Sequence, residues 1–422
     1  MIMKKVKLKF NLVIMMITML SIRSAYSYDV SERFRIIDDK LKTDAYFRTI
    51  HHDFFLNFSM TSNADVLTFV KDVSDAAKAG TTQAAQNVLR KYDQTEQSLK
   101  FNFNLGFPIF SFQLGELKVK PNFRALVDLG TNIGVRKGEL TAAQVIDLFT
   151  IDIPDTIKNQ IITVYDSKSP GQDIFGNCNV DFPTASQPEA NAVCRSNTGK
   201  YFKQDATVPD LHFYAKMDAK VGFFNQYQYG DKWFGDFNLY ALGRADFMQI
   251  LNYASIQSGQ EIKFPSQLND QITIQIDYRL GYQYQMLKSS LALEEIKLFK
   301  VTDLKSGAKN LKYGYDPLIR FHNEAEFRWG VFGVMPFLGL QKRAGYTLAN
   351  SYYLGSVFGT YFFNDRLEAS LRAMYDKNYF TVGPRFKLWL MQLEANLKIP
   401  AKKYEEDVRL STLATIDFRL FF

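Results

Sequence analysis

Hydrophobic and polar residues alternate with a period of two in many segments of this chain. Between residues 123 and 135, apolar side chains occupy nearly every odd position, whereas Arg124 and Asp128 stand at even ones. Because successive side chains of a β-strand point to opposite faces, this segment predicts a strand with one apolar and one polar face. The pattern recurs in segments 211–223, 237–247, 272–284, 319–329, 367–376 and 393–399. So many two-faced strands predict a transmembrane barrel with an apolar outer face and a polar lumen.

The last segment, 408–422, has the same pattern and ends the chain on an aromatic residue. Phe418, Leu420 and Phe422 lie on its apolar face, opposite Asp417 and Arg419. This ending resembles the C-terminal signal of Gram-negative outer-membrane β-barrel proteins, which the assembly machinery reads. The resemblance implies outer-membrane lipid, lipopolysaccharide and the barrel assembly machinery as partners. For this segment taken alone, the alternative is an edge strand of a soluble β-sandwich.

Residues 1–27 predict a cleaved signal peptide. Four lysines precede an apolar run over residues 10–22, and Ala25 and Ser27 are small residues at the positions that a signal peptidase inspects. The apolar run is shorter than the roughly 20 residues of a membrane-spanning helix. We therefore predict export, cleavage after Ser27, and a mature chain of residues 28–422 that forms a barrel in the cell outer membrane.

The strand number depends on where the loops fall. We predict an all-β, antiparallel up-and-down barrel of about twelve strands, in which Asp44–Met60 is the first strand and 318–340 is a single one. Segments 61–98, 137–210, 251–270 and 303–316 then all lie on the extracellular side. Fourteen strands is the alternative, obtained by splitting 318–340 at Gly330 and finding another strand within 99–136. Helical spacing predicts short helices in the long loops 61–98 and 137–210. Those of 61–98 form an ordered loop, which is the favoured interpretation, or else a plug or a substrate-contacting cap.

Two cysteines, Cys178 and Cys194, lie in a polar stretch rich in proline, asparagine and serine. In an exported chain such a pair predicts a disulfide, and closing a loop of this size stabilises the fold by about 3 kcal/mol. The stretch has no neighbouring histidine, which disfavours a metal site. We expect the disulfide in an exposed extracellular loop.

Composition adds little about chemistry. The formal net charge of +7 suits anionic lipid headgroups, and no motif supports nucleic-acid binding. The chain has only four histidines and lacks the phosphate-loop, zinc-protease and serine-hydrolase motifs. We therefore expect no catalytic residues, no metal and no cofactor.

Charged residues of both signs share the predicted inner faces of the strands. They are Arg124, Asp128, Lys216, Asp218, Arg244, Asp246, Asp277, Arg279, Arg320, Glu324, Arg328 and Arg372. Opposite charges that are close in sequence, such as Arg244 and Asp246, are expected to pair. These pairs either form a charge-sorting constriction or neutralise one another in a blocked barrel.

Three functions follow from this wall. The first hypothesis is a porin-like channel or uptake barrel for small solutes. The second is a transporter for hydrophobic compounds, as in the fatty-acid transporter family, although residues 28–43 lack a glycine-rich motif for that family's N-terminal hatch. The third is a non-conducting surface or structural barrel that acts through its long loops.

Overall fold

The computed structural model describes residues 29–46, 53–136, 142–147, 153–203, 205, 207–257, 269–303, 313–314, 316–346, 350–363, 366–405 and 408–422. The predicted signal peptide, residues 1–27, lies outside these described residues. The strands are β1 (Phe55–Asn63), β2 (Thr95–Pro108), β3 (Phe112–Leu114), β4 (Leu117–Arg136), β5 (Asp210–Tyr229), β6 (Trp233–Leu251), β7 (Asn269–Tyr284), β8 (Leu287–Asp303), β9 (Leu318–Ala325), β10 (Phe327–Trp329), β11 (Phe332–Lys342), β12 (Tyr352–Phe362), β13 (Leu367–Asp376), β14 (Tyr379–Leu388), β15 (Met391–Pro400), β16 (Tyr404–Glu405), β17 (Val408–Arg409) and β18 (Leu413–Phe421).

Fourteen of these strands form a closed antiparallel transmembrane barrel. β3 and β10 extend β2 and β9, and β16 and β17 form a short hairpin before β18. The barrel closes where β1 pairs with β18, from Phe55 opposite Phe421 to Asn63 opposite Leu413. The observed number of strands is fourteen, which was the alternative prediction, and not twelve. The chain turns at Gly330, which divides 318–340 into two strands, and segment 99–136 is divided between most of β2 and all of β4.

The connections alternate between the two ends of the barrel. At the short-turn end, neighbouring strands are joined by connections such as 230–232, 285–286 and 389–390. The first residue of β1 and the last residue of β18 lie at this end too. At the other end, which we call the long-loop end, lie the four segments that were expected to share one side. Short turns on one side and long loops on the other are the arrangement of bacterial outer-membrane barrels, with the termini on the periplasmic side.

Helices occupy the N-terminal segment and the long loops. They are α1 (Val30–Tyr46), α2 (Val66–Ala79), α3 (Thr82–Lys91), α4 (Ala142–Asp147), α5 (Asp155–Ser167), α6 (Cys178–Asp181), α7 (Pro188–Asn197) and α8 (Tyr253–Gln257). The prediction of a first strand over Asp44–Met60 is wrong in its first part, because its first three residues end α1 and β1 begins only at Phe55. Among the described residues, no helix has the length and hydropathy needed to cross a membrane.

Helices α2, α3 and α8 pack against the outer face of the barrel at the long-loop end. Phe69, Leu89 and Ile256 from these helices form one buried cluster with Leu211 and Phe213 of β5. Leu211 and Phe213 are an even number of residues from Met217 along β5, so all three side chains point to the same face of the strand. The side chain of Met217 is 45% exposed on the apolar outer surface. The helices of segment 61–98 are therefore not a plug, and they cover the parts of the strands nearest the long loops.

Helices α4 to α7 form a second compact unit in the longest loop. Its core includes Ile161, Phe175 and Phe182, all of them fully buried. The predicted disulfide joins Cys178 and Cys194 at a Cα–Cα distance of 5.7 Å. Because both cysteines belong to the same buried cluster, the bond fastens α6 to α7 inside this unit.

Candidate functional site

Helix α1 lies inside the barrel and crosses its lumen. Arg33 Nε contacts Glu96 Oε1 of β2 at 2.7 Å, Lys40 Nζ contacts Asp376 Oδ1 of β13 at 2.6 Å, and Lys42 Nζ contacts Glu295 Oε1 of β8 at 2.9 Å. These three strands are far apart around the barrel. A helix bound to all of them at once obstructs the lumen at this level.

The start of α1 is fixed by a reciprocal cap. The Glu32 backbone N–H donates to Asp29 Oδ1 at 2.8 Å, and the Asp29 backbone N–H donates to Glu32 Oε2 at 3.3 Å. Such a capping box satisfies N–H groups that the first turn of a helix leaves unpaired. On the apolar side, Phe34 packs with Tyr214 of the wall and with Tyr313. The segment therefore forms a helix with local support as well as support from the wall.

Asp38 is the most heavily contacted acidic residue of α1. Its carboxylate accepts hydrogen bonds from Lys100 Nζ, from Tyr313 Oη at 2.5 Å and from Lys216 Nζ at 3.3 Å. A fourth contact comes from Lys42 within the helix, at 3.3 Å. The Asp38 side chain is fully buried, and a buried carboxylate requires partners of this kind to remain charged.

Asp39 binds the loop between β11 and β12. Arg343 donates from Nε to Oδ2 at 2.6 Å and from Nη2 to Oδ1 at 2.9 Å, which makes a bidentate pair. Tyr346 Oη donates to Oδ2 of the same carboxylate at 2.5 Å. Arg343 has a further ion pair with Glu295, at 3.2 Å. Two-point arginine–carboxylate contacts fix orientation as well as distance, so this pair sets how α1 sits in the lumen.

The structure places the residues predicted to line the lumen at different depths. Asp128, Lys216, Asp218, Arg244, Asp246, Arg320 and Arg372 are buried, whereas Arg124, Asp277, Arg279 and Glu324 are half-buried. Arg328 is exposed near the short-turn end, where Nε contacts Glu326 Oε1 at 2.6 Å. Outward positions of the same strands are exposed and apolar, as at Val127 (40%) and Leu129 (42%).

Some charge pairs differ from those expected from sequence. Arg244 binds Asp218 through two contacts of 2.8 Å, because Asp218 and Arg244 are directly opposite in the β5–β6 register. Arg279 likewise contacts Asp236 across strands at 2.5 Å. Directly opposite residues are closer than residues two apart on one strand. Of the expected pairs, Lys216 and Asp218 do meet, at 3.0 Å.

Sequence reasoning missed the charged residues of α1 altogether. Arg33, Asp38, Asp39, Lys40 and Lys42 were not assigned to any site. Two signals were present: acidic residues three apart at 29 and 32, and apolar residues at 30, 34, 37 and 41. The first is a helix-start signature, and the second has helical spacing.

A cavity of about 300 Å³ lies between α1 and the inner wall. Leu41 and Lys42 of α1 border it on one side, and β18, β1, β2, β4 and β5 provide the wall. Arg124 and Arg419 belong to this wall. Most of the residues that line the space are polar, and it lies on the side of α1 nearer to the short-turn end.

No protein-family model matches the sequence, and no curated protein matches it. Among solved structures, the chain is similar to the transport unit of the autotransporter AIDA-I from Escherichia coli, with a TM-score of 0.41 and 6% identity over 94% of this chain and 99% of that one. It is similar to the deltaS2S3 mutant of the monoaromatic hydrocarbon channel TodX, with a TM-score of 0.42 and 7% identity over 88% and 90%. It is also similar to a mutant of the Rh. blastica porin, with a TM-score of 0.28 and 10% identity over 88% of this chain and 99% of that one. These are outer-membrane β-barrels, and the likeness concerns barrel architecture alone.

Proposed function

We propose that this protein is an outer-membrane barrel that passes small polar solutes and that α1 is the plug that closes it. The observation that carries the proposal is how α1 is held. Its contacts with the wall include ion pairs to β2, β8 and β13, while the wall strands use their main-chain groups to pair with one another. The plug can thus leave without breaking the sheet.

The chemistry of these contacts suits reversible docking. Buried ion pairs gain little net stability, because the loss of hydration offsets most of the attraction. When α1 leaves, charged groups on the helix and the wall regain water. A plug with an apolar surface would instead expose hydrophobic area at about 25 cal/mol per Å². The charged contacts are therefore compatible with opening, while the burial of Val30, Phe34 and Ile36 favours the docked state.

The direction of release follows from the connection to β1. Residues 47–54 link the end of α1 to Phe55, which lies at the short-turn end. Withdrawal towards that end leaves α1 attached to the barrel. By the usual orientation of such barrels this is the periplasmic side. We further propose export through cleavage of residues 1–27 and insertion by the assembly machinery that reads Phe418, Leu420 and Phe422.

The test is conductance of the purified barrel in planar bilayers. We compare the full mature chain with a variant lacking residues 30–46. The full chain is expected to open rarely, and the deletion variant to conduct steadily, because the obstruction is gone. Heat-modifiable migration and circular dichroism verify that both fold. A folded deletion variant that passes no current would refute the channel.

The second candidate is a non-conducting surface barrel, which the occupied lumen favours. It predicts no current from either protein. The transporter for hydrophobic compounds has less support, because the wall facing α1 is charged. A role in transport or at the surface, and not in catalysis, is common to all three.

A further inference from the structure

The cavity beneath α1 has an excess of basic side chains. Five basic residues line it, namely Lys42, Lys100, Arg124, Lys220 and Arg419. Among the described residues, two carboxylates also line it, Asp128 and Asp218. The three lysines are engaged in ion pairs, because Lys42 and Lys220 contact Glu295 at 2.9 and 3.4 Å and Lys100 contacts Asp38 and Asp128. The arginines of the wall are therefore the groups to which an anion would bind.

Both carboxylates are already neutralised by other groups. Asp128 contacts Lys100 Nζ at 2.9 Å. Asp218 binds Arg244 through two contacts of 2.8 Å and Lys216 at 3.0 Å, and neither of these partners lines the cavity. These two carboxylates therefore do not pair with Arg124.

Arg124 is prepared to receive an anion. Its guanidinium carbon lies 5.3 Å from the centroid of the Phe55 ring and 5.0 Å from that of the Phe224 ring. Its Nε atom is buried and has no hydrogen-bond partner among the described residues. Rings near the planar group keep its orientation and leave its N–H edge as the donor.

A glycine makes room for this arrangement. A Cβ atom at Gly106 would lie 2.2 Å from Cε1 of Phe55, so any larger residue there would displace the ring. Arg419 lies near the same ring, at 5.4 Å, and donates from Nε to Asn57 Oδ1 at 3.3 Å. The guanidinium groups of Arg124 and Arg419 thus both lie near the Phe55 ring, on the short-turn side of the cavity.

We propose that this cavity is a binding site for a small organic carboxylate. The carboxylate takes the N–H edge of Arg124, the geometry that arginine matches with two parallel hydrogen bonds. Carbon atoms of the ligand contact Leu41 and Leu126, which line the cavity, and the amides of Asn57, Asn102 and Asn104 offer polar contacts. The volume is at the lower end of that of small-molecule pockets, which favours compact ligands.

This proposal names the class of solute for the channel function proposed above. It rests on that function only where it treats the bound anion as the transported solute. Binding is measured without a membrane. A protein that binds the anion and never conducts refutes the channel and keeps the site. A protein that conducts and does not bind the anion refutes the site alone.

The probes are benzoate and the neutral isostere benzamide, titrated calorimetrically into the full mature chain in detergent. Benzoate is expected to bind and benzamide to bind at least about tenfold more weakly, because charge-assisted hydrogen bonds are stronger than neutral ones. Arg124→Gln should weaken benzoate binding by about ten- to a hundredfold. Arg328→Gln is the matched control, because Arg328 is an exposed arginine outside the cavity, and it should leave binding unchanged.

A second variant covers the case in which Arg124→Gln fails to fold. Arg124→Lys keeps the charge and loses the two-point geometry, so it should bind benzoate more weakly than the unmodified protein and still more tightly than it binds benzamide. Equal affinity for the two probes overturns the proposal. So does unchanged benzoate binding by either folded Arg124 variant.

Discussion

Replacing Asp39 by asparagine should release the plug. Asp39 and Arg343 form a bidentate pair at 2.6 and 2.9 Å, and both side chains are fully buried. Asparagine has nearly the same shape, but it lacks the negative charge. Because Arg343 contacts both carboxylate oxygens, either orientation of the amide also points an N–H donor at the arginine, which has no acceptor to receive it. The change therefore weakens the docked state specifically.

The size of the effect follows from the partners that remain. Removing one member of a buried ion pair typically costs about 3–5 kcal/mol. Arg343 keeps its contact with Glu295 at 3.2 Å, so the lower end of that range applies. At about 1.4 kcal/mol per factor of ten, a loss of about 3 kcal/mol raises the ratio of undocked to docked helix about a hundredfold.

Two measurements report this ratio. Open probability in planar bilayers should rise about a hundredfold for Asp39→Asn. The rate of tryptic cleavage after Lys40 and Lys42 should rise in parallel, because proteolysis follows the population of the open form. Asp155→Asn is the control, since its ion pair with Lys158 in α5 is exposed at the carboxylate (91%). If folded Asp39→Asn protein matches the unmodified protein in both measurements, this pair does not hold the plug.

Three further predictions concern other parts of the chain. Gly130→Ala should raise open probability roughly tenfold or more, because its Cβ would lie 2.3 Å from Cζ of Phe34, whereas Gly134→Ala, with its nearest contact at 3.4 Å, should not. Phe422→Asp should lower the yield of heat-modifiable barrel through slow assembly and not through lost packing, since Phe422 is 65% exposed; normal yield would contradict this. Hydrogen bonds from Lys91 and Tyr92 lower the pKa of Asp72 in α2, so this contact is present above the ordinary carboxyl pKa and is lost as pH falls through the lowered value. Hydrogen-exchange protection factors in α2, which correct for the slower intrinsic exchange in acid, should therefore fall when the pH is taken below that value.

Sequence reasoning predicted the wall well because one physical constraint acts along most of it. A strand between lipid and a polar interior must alternate, and this pattern located strands such as β4, β5 and β13. The predicted strands are too short at the long-loop end, where β4 and β5 reach 20 residues each. At that end α2, α3 and α8 cover the outer face of the strands. The strand residues there contact protein and not lipid, so the lipid-facing pattern does not mark where the strands end. The lead count of twelve joined 318–340 because a tight turn at Gly330 hardly interrupts the alternation.

The plug could not be found by the same reasoning. The apolar residues at 30, 34, 37 and 41 have helical spacing, but such a stripe does not tell a helix in the lumen from one in a loop. Its charges are satisfied by residues as distant in sequence as Arg343 and Asp376. No local pattern encodes such pairs. The cap formed by Asp29 and Glu32 and the apolar spacing were the local indications, and they specify a helix without saying where the helix lies.

The stability of the wall is separable from the docking of α1, and this makes the plug hypothesis testable. The register between β4 and β5 runs without interruption from Leu117 opposite Tyr229 to Arg136 opposite Asp210, and the seam between β1 and β18 is equally regular. These main-chain hydrogen bonds do not involve α1. A membrane barrel satisfies its backbone groups only within the closed sheet, so the sheet must form whether or not the lumen is occupied. Changes at Asp39 should therefore shift the position of one helix and leave the barrel assembled, whereas a helix required for folding would make the same changes lower the yield of barrel.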